Sequence, residues 1–291
     1  MDTTTIPAGT IVVGVDGSPS AQQALEWAAG QAALEHRALT IVHGTPPAVR
    51  TWMTAPGYGA GPVLDDMRQD AEQLIEEARA FAATRAPGLE VNTVYRVEDP
   101  RQVLAELSGR AAAGVVGSRG RGPVASLLLG SVGIALVRHA ACPVVVLRPA
   151  TTERRSGVVV GVDATEESIN ALEFAYRHAA TAGAPLTALH SWAAGALTTS
   201  EQFVEREHVE RRRQLVARAV SELGRKYPDV PTRIDLTRMP PAEALLLAAE
   251  GVDLLVLGRR RHEPVLGAVH GSVAMAVVEH AVTTVAVVPA H

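Results

Sequence analysis

Ile11-Val12-Val13-Gly14-Val15-Asp16-Gly17-Ser18 returns 147 positions later as Val158-Val159-Val160-Gly161-Val162-Asp163-Ala164-Thr165. Each copy is a short apolar run, rich in β-branched residues and without polar alternation. Such a run predicts a strand buried on both faces, as in a parallel sheet. Each then passes through Asp to a Ser or Thr, the residue types that cap a helix. Strand, turn and helix start are thus written twice.

The repeat continues. Leu39-Thr40-Ile41-Val42-His43 matches Leu186-Thr187-Ala188-Leu189-His190, and Val115-Val116-Gly117 matches Val256-Leu257-Gly258. Gly130-Ser131-Val132 matches Gly271-Ser272-Val273, and His139-Ala140 matches His280-Ala281. The offset falls from 147 to 141 along the way, so the second copy lacks six residues in its middle, as a surface connection allows. Thr151-Thr152-Glu153-Arg154-Arg155-Ser156 is polar and without apolar period, and reads as the linker. Two domains are expected, 1–150 and 156–291.

Within each half, β and α signals alternate. Strands are expected at Thr10 to Val15, around Leu39 to His43, near Glu90 to Val97, into Gly117, and at Val144 to Leu147. Helices are expected after Ser18 with Pro19 in the first turn, from about Asp65 to Arg85, from Pro100, and from Ser131. The second half repeats this, with Glu166 and Glu167 after Thr165, a long helix from about Glu201 to Tyr227, and a short helix near Pro241. Strand–helix alternation implies parallel strands with right-handed crossovers. The fold class is α/β, two tandem Rossmann-like domains, each a doubly wound sheet of five parallel strands. The last strands, Val144 to Leu147 and Val285 to Val288, are apolar edges that need a cover.

Composition narrows the function classes. The 291 residues carry a net charge of −4 and 47 % hydrophobic residues, which is globular and gives no footprint for nucleic acid. No stretch approaches the roughly 18 to 20 apolar residues of a membrane helix. The start has no basic and apolar leader pattern, and Cys142 is single, so a reducing cytoplasm is expected. Lys226 is the only lysine and follows Arg225, not a glycine-rich loop, which excludes a Walker P-loop.

In an open parallel sheet, ligands bind beyond the carboxyl ends of the strands, where strand order reverses. One loop expected there carries Asp16. The other is Gly117-Ser118-Arg119-Gly120-Arg121-Gly122-Pro123, followed by Gly130-Ser131, a G-x2-G-x9-G-S spacing. Glycines let backbone approach an anion and take positive φ, and successive N–H groups form an anion nest. Gly130 and Ser131 open a helix whose free N–H groups favour phosphate. Arg119 and Arg121 add positive charge. Asp16 can accept from ribose hydroxyls or meet a phosphate-bound Mg²⁺.

Val116-Gly117-Ser118-Arg119-Gly120-Arg121-Gly122, the Gly130-Ser131-Val132 that follows, and His139-Ala140-Ala141-Cys142-Pro143-Val144-Val145-Val146 resemble the universal stress protein family of the ATP-binding type. The resemblance covers both halves. It implies a five-stranded Rossmann-like sheet with ATP at its switch point, and pairing of the two halves through the fifth strands. Mg²⁺ is expected with the phosphates, and a homodimer is a separate expectation. By position, Gly14, Val15 and Asp16 would lie near adenosine and ribose, and Val42 near adenine. Gly117, Ser118, Arg119, Gly120, Arg121, Gly122, Gly130, Ser131 and Val132 would surround the phosphates.

The second half departs from this pattern. Gly161, Asp163, Leu189, Gly271, Ser272 and Val273 match, but Gly258-Arg259-Arg260-Arg261-His262 puts Arg261 at the place of Gly120. A side chain there either clashes with the phosphate or leaves three arginines to hold an anion by charge. His43, His190, His139 and His280 lack metal-ligand spacing and read as structural. Cys142 reads as a buried small hydrophobe. Arg211-Arg212-Arg213 and Glu72, Glu76 and Glu77 read as solvated helix faces. Pro46 to Pro62 reads as a flexible loop, either a lid over the nucleotide or a plain connection.

The leading expectation is a regulatory ATP-binding protein of the stress response, its downstream partner unidentified, with the first site the stronger. The alternative is a nucleotide-processing enzyme on the same fold, catalysing slow ATP hydrolysis or adenylyl transfer. A dinucleotide oxidoreductase is excluded because Gly14-Val15-Asp16-Gly17-Ser18-Pro19 lacks the G-x-G-x-x-G turn.

Overall fold

The structure, a computed structural model, describes residues 5–46, 60–120, 129–149, 156–163, 165–192, 199–259 and 273–290. The chain forms two compact units, Met1–Pro149 and Ala150–His291. In chain order the first holds β1 (Thr10–Gly14), α1 (Pro19–Leu34), β2 (Leu39–Gly44), α2 (Ala60–Arg85), β3 (Val91–Arg96), α3 (Pro100–Leu107), β4 (Ala111–Gly117), α4 (Ser131–His139) and β5 (Val144–Leu147). The second holds β6 (Val158–Gly161), α5 (Glu166–Ala182), β7 (Leu186–Ser191), α6 (Thr199–Lys226), β8 (Thr232–Thr237), α7 (Pro241–Ala249), β9 (Leu254–Arg259), α8 (Val273–His280) and β10 (Thr284–Pro289).

Each unit is one parallel sheet of five strands, ordered β3-β2-β1-β4-β5 in the first and β8-β7-β6-β9-β10 in the second. The registers are Val13↔Ile41 and Val13↔Val115 in the first and Val160↔Ala188 and Val160↔Val256 in the second. The valine runs are the core: Val12, Val13, Val144, Val145, Val146, Val160, Val256 and Val285 are all at most 1 % exposed. β4 and β5 are covered on both faces, as unalternating apolar runs require.

The helix starts follow their caps. Ser18 and Thr165 sit in extended backbone and accept from Ala21 N–H and Ser168 N–H. Asp99 does the same for α3, with Pro100 behind it. α5 stops at Gly183, whose φ of 62° ends the helix at no steric cost. Several boundaries differ from the sequence expectation by a few residues. β1 ends at Gly14, one residue short of Val15. α2 begins at Ala60, so Gly61 and Pro62, expected in the loop, stand in its first turn. Proline is tolerated there because the N–H it lacks would have no helical partner. The rest of that expected loop, 47–59, and the linker 151–155 lie outside the described residues. No helix among the described residues is long and apolar enough to cross a membrane.

Candidate functional site

From β1 the first unit runs outward through β2 and β3, then returns to β4 on the other side of β1. The order reverses between β1 and β4, so the Asp16 loop and the loop after Gly117 flank one crevice.

Asp16 serves both sides of it. Its Oδ1 accepts the Ser18 N–H at 2.9 Å, closing the turn that leads into α1. Its Oδ2 lies against Gly120, where a methyl group would be 2.7 Å away. The loop after β4 is pinned at its base. Ser118 N–H donates to the Leu147 carbonyl at 2.9 Å, and Gly130 N–H donates to the Ser118 carbonyl at 2.8 Å. The Ser20 hydroxyl, in the first turn of α1, donates to the Arg119 carbonyl. Sequence reasoning passed over Ser20; its signal was a small hydroxyl residue two places after a helix cap. A methyl at Gly130 would lie 3.8 Å from Gly120 N, so the loop's start and the helix that follows it stand together.

The start of α4 is bare. Gly130 caps it in extended backbone, φ −74° and ψ 158°, with no side-chain hydrogen bond and no acid in the first turn. α1, α3 and α5 each carry a side-chain cap, and α7 carries Pro241 and Glu243 in its first turn. The N–H groups of Ser131 and Val132 thus face the crevice end of the sheet without a side-chain acceptor at their cap, where an anion is favoured.

The glycines matter for closeness rather than for left-handed backbone. Positive φ occurs at Gly9, Gly17, Gly88, Gly157 and Gly183, but not at Gly117, Gly120 or Gly130. A methyl at Gly117 would meet the Ser20 backbone at 2.6 Å. Gly14 and Gly161, expected near nucleoside, make room for leucines: a methyl would lie 3.0 Å from Leu104 Cδ1 in one case, and 3.0 Å from Leu257 Cδ2 and 3.1 Å from Leu245 Cδ2 in the other. Val15, Val42 and Leu189 are covered, at 7 %, 2 % and 6 % exposure.

Two cations share the outer end of β4 and β5. Arg119 is exposed and Arg148 half-buried. Burial first, and then the charge of Arg119, lower the Arg148 pKa from its ordinary value. Arginine remains protonated nonetheless. A cleft of about 540 Å³ opens beside the C-terminal end of β2, lined by His43, Thr45, Met67, Asp70 and Glu77 among others, and not by the glycine loop. Among the described residues no three His, Cys, Asp or Glu side chains group as metal ligands would.

In the second unit Asp163 repeats the turn: its Oδ1 accepts from Thr165 N–H at 3.1 Å and from the Thr165 hydroxyl at 2.6 Å. Gly258 and Arg259 end β9, and Val273 opens α8. Arg121, Gly122, Arg260, Arg261, Gly271 and Ser272 lie outside the described residues, so the second loop stands on sequence alone.

Comparison with known proteins agrees with the duplication. The model of the universal stress protein family matches residues 8–148 and again 156–289. The chain is 33 % identical over 285 residues to a universal stress protein of Mycolicibacterium smegmatis, covering 96 % of each. It is 32 % identical over 284 residues to one of Mycobacterium tuberculosis, covering 95 % of each. A universal stress protein of Archaeoglobus fulgidus, 18 % identical, shares the fold at a TM-score of 0.70 over 98 % of this chain and 97 % of that one. The chain therefore belongs to the universal stress protein family, whose domain it carries twice.

Proposed function

We propose that the chain is an ATP-binding regulatory protein of the stress response, with its working site in the first half. The observation that carries this reading is the bare, glycine-capped start of α4 brought beside Asp16 and Gly120 at the switch point. It combines a helix terminus that favours phosphate with a close-packed glycine and a carboxylate next to it. Ser118, Arg119, Gly120, Gly130, Ser131 and Val132 would hold the phosphates, joined by Arg121 and Gly122 from the sequence pattern. Val15 and Val42 would back the nucleoside as covered wall. Asp16, whose Oδ1 accepts the Ser18 N–H, would meet a ribose hydroxyl or a Mg²⁺ held mainly by the phosphates. The lone buried Cys142 suits a reducing compartment such as the cytoplasm.

The test is calorimetric titration of the purified chain with ATP and Mg²⁺, alongside mass spectrometry of small molecules released on denaturation. Saturable ATP binding that competes with a released adenine nucleotide supports the reading. A chain that takes up no ATP and releases no nucleotide overturns it.

A further inference from the structure

The two histidines that end β2 and β7 make the same bond. His43 Nδ1 lies 2.8 Å from the Val15 carbonyl, and His190 Nδ1 lies 2.7 Å from the Val162 carbonyl. A carbonyl only accepts, so Nδ1 carries the proton in both rings and donates. The same two residues are held from the other side. Val15 N–H donates to the Val42 carbonyl, and Val162 N–H to the Leu189 carbonyl, each at 2.9 Å. The ladder of β1 on β2 runs from Ile11↔Leu39 to Gly14↔Val42, so Val15 lies one residue past its end. A polar side chain thus fixes the peptide that a sheet hydrogen bond would fix further back. The residue after that peptide is Asp16 in one half and Asp163 in the other.

We infer that His43 is a positioning residue for the nucleotide site: its imidazole clamps the Val15–Asp16 peptide and so sets where the Asp16 carboxylate meets Gly120. The inference rests on the ATP reading above. Without this bond the Val15–Asp16 peptide would keep only the Val15 N–H bond to Val42, and the Asp16 carboxylate would lose one of the constraints that place it beside Gly120. The ring is well placed to be rigid: it stacks on Tyr95 at 6.0 Å with planes 11° apart. His190 stacks likewise on Trp192 at 5.9 Å. A purely packing role would need the ring but not its donor, and both halves use the donor in the same way.

The test uses the full chain with His43→Leu, which removes the donor, and His43→Asn, whose amide can donate from nearly the place of Nδ1. Both are titrated with ATP and Mg²⁺, alone and in the Asp16→Asn background, with thermal unfolding as the folding control. We expect His43→Leu to weaken ATP about three- to tenfold, the range of one lost hydrogen bond. His43→Asn should stay within about twofold of the parent. In the Asp16→Asn background His43→Leu should add little, since both changes act through one carboxylate. Undiminished binding by His43→Leu, equal losses from Leu and Asn, or a full additional loss in the Asp16→Asn background would each overturn the inference. A parent chain that binds no ATP overturns the nucleotide reading itself, and this inference falls with it.

Discussion

Gly120 leaves no room for a side chain beside Asp16: a methyl in place of its hydrogen would stand 2.7 Å from Asp16 Oδ2, well inside contact distance. The atom it meets is the end of a side chain, so the carboxylate can turn aside. Gly120→Ala should therefore leave the fold intact and displace Asp16. We expect ATP affinity to fall about five- to tenfold, roughly 1 to 1.4 kcal/mol, with Tm nearly unchanged. Calorimetry beside thermal unfolding reads both quantities.

Gly117→Ala should behave differently. The methyl would meet the carbonyl carbon and oxygen of Ser20 at 2.6 Å, and backbone in a helix's first turn cannot rotate away. We expect a loss of about 1 to 3 kcal/mol in stability, the usual cost of overpacking. Urea unfolding measures it. Gly30→Ala is the control: Gly30 lies within α1 with nothing within 4 Å of the added methyl, and should gain about 0.5 to 1 kcal/mol.

Acid should find Asp99. The hydrogen bond from Arg101 holds this carboxyl below its usual range, against an opposing contribution from burial. A depressed folded pKa adds stability above the unfolded value, about 3.9, and that stability is lost as pH falls through the folded value. Arg101 is exposed to water, which screens the pair, so the amount is small. Asp99→Asn keeps a good helix cap and should flatten the corresponding part of the stability curve below about pH 4. Parent and variant unfolded in urea across that range give the comparison.

Occupancy should be unequal between the halves. At the place of Gly120 the second half has Arg261. If that loop approaches Asp163 as Gly120 approaches Asp16, any side chain is in the way. We expect about one ATP per chain, and a second on Arg261→Gly. Titration stoichiometry decides; a fall in total binding would mean that Arg261 is itself a ligand.

Much of this was legible in the residues. The apolar runs at Val144 to Leu147 and the caps at Ser18 and Thr165 announce their elements, because burial on both faces and an orphan N–H each demand a particular residue type. The offset between copies supplied the duplication. The reason for the glycines was not legible. Gly117 and Gly120 invite an argument from left-handed backbone, yet they are glycine because Ser20 and Asp16, about a hundred positions away in sequence, come within contact distance. Gly14 is glycine because of Leu104, on a helix whose docking no local pattern states. His43 showed itself as a repeated residue, but its partner is a carbonyl, and carbonyls leave no mark in a sequence.

The Gly130–Ser118 hydrogen bond has a consequence for how this protein can change. It closes the segment between these two residues at its root, next to the sheet. The entropy of closing such a segment grows only slowly, about 0.6 kcal/mol for each doubling of its length. A change of length between the two residues is therefore cheap for closure. The second copy differs in sequence here, with Arg259, Arg260 and Arg261, while keeping thirteen positions from Gly258 to Gly271, as from Gly117 to Gly130. A duplicated domain is free to change this stretch in one copy while the other keeps it, so exchanging the stretches between the two pairs of glycines is expected to exchange the nucleotide preference proposed above, read by ATP titration of the swapped chain.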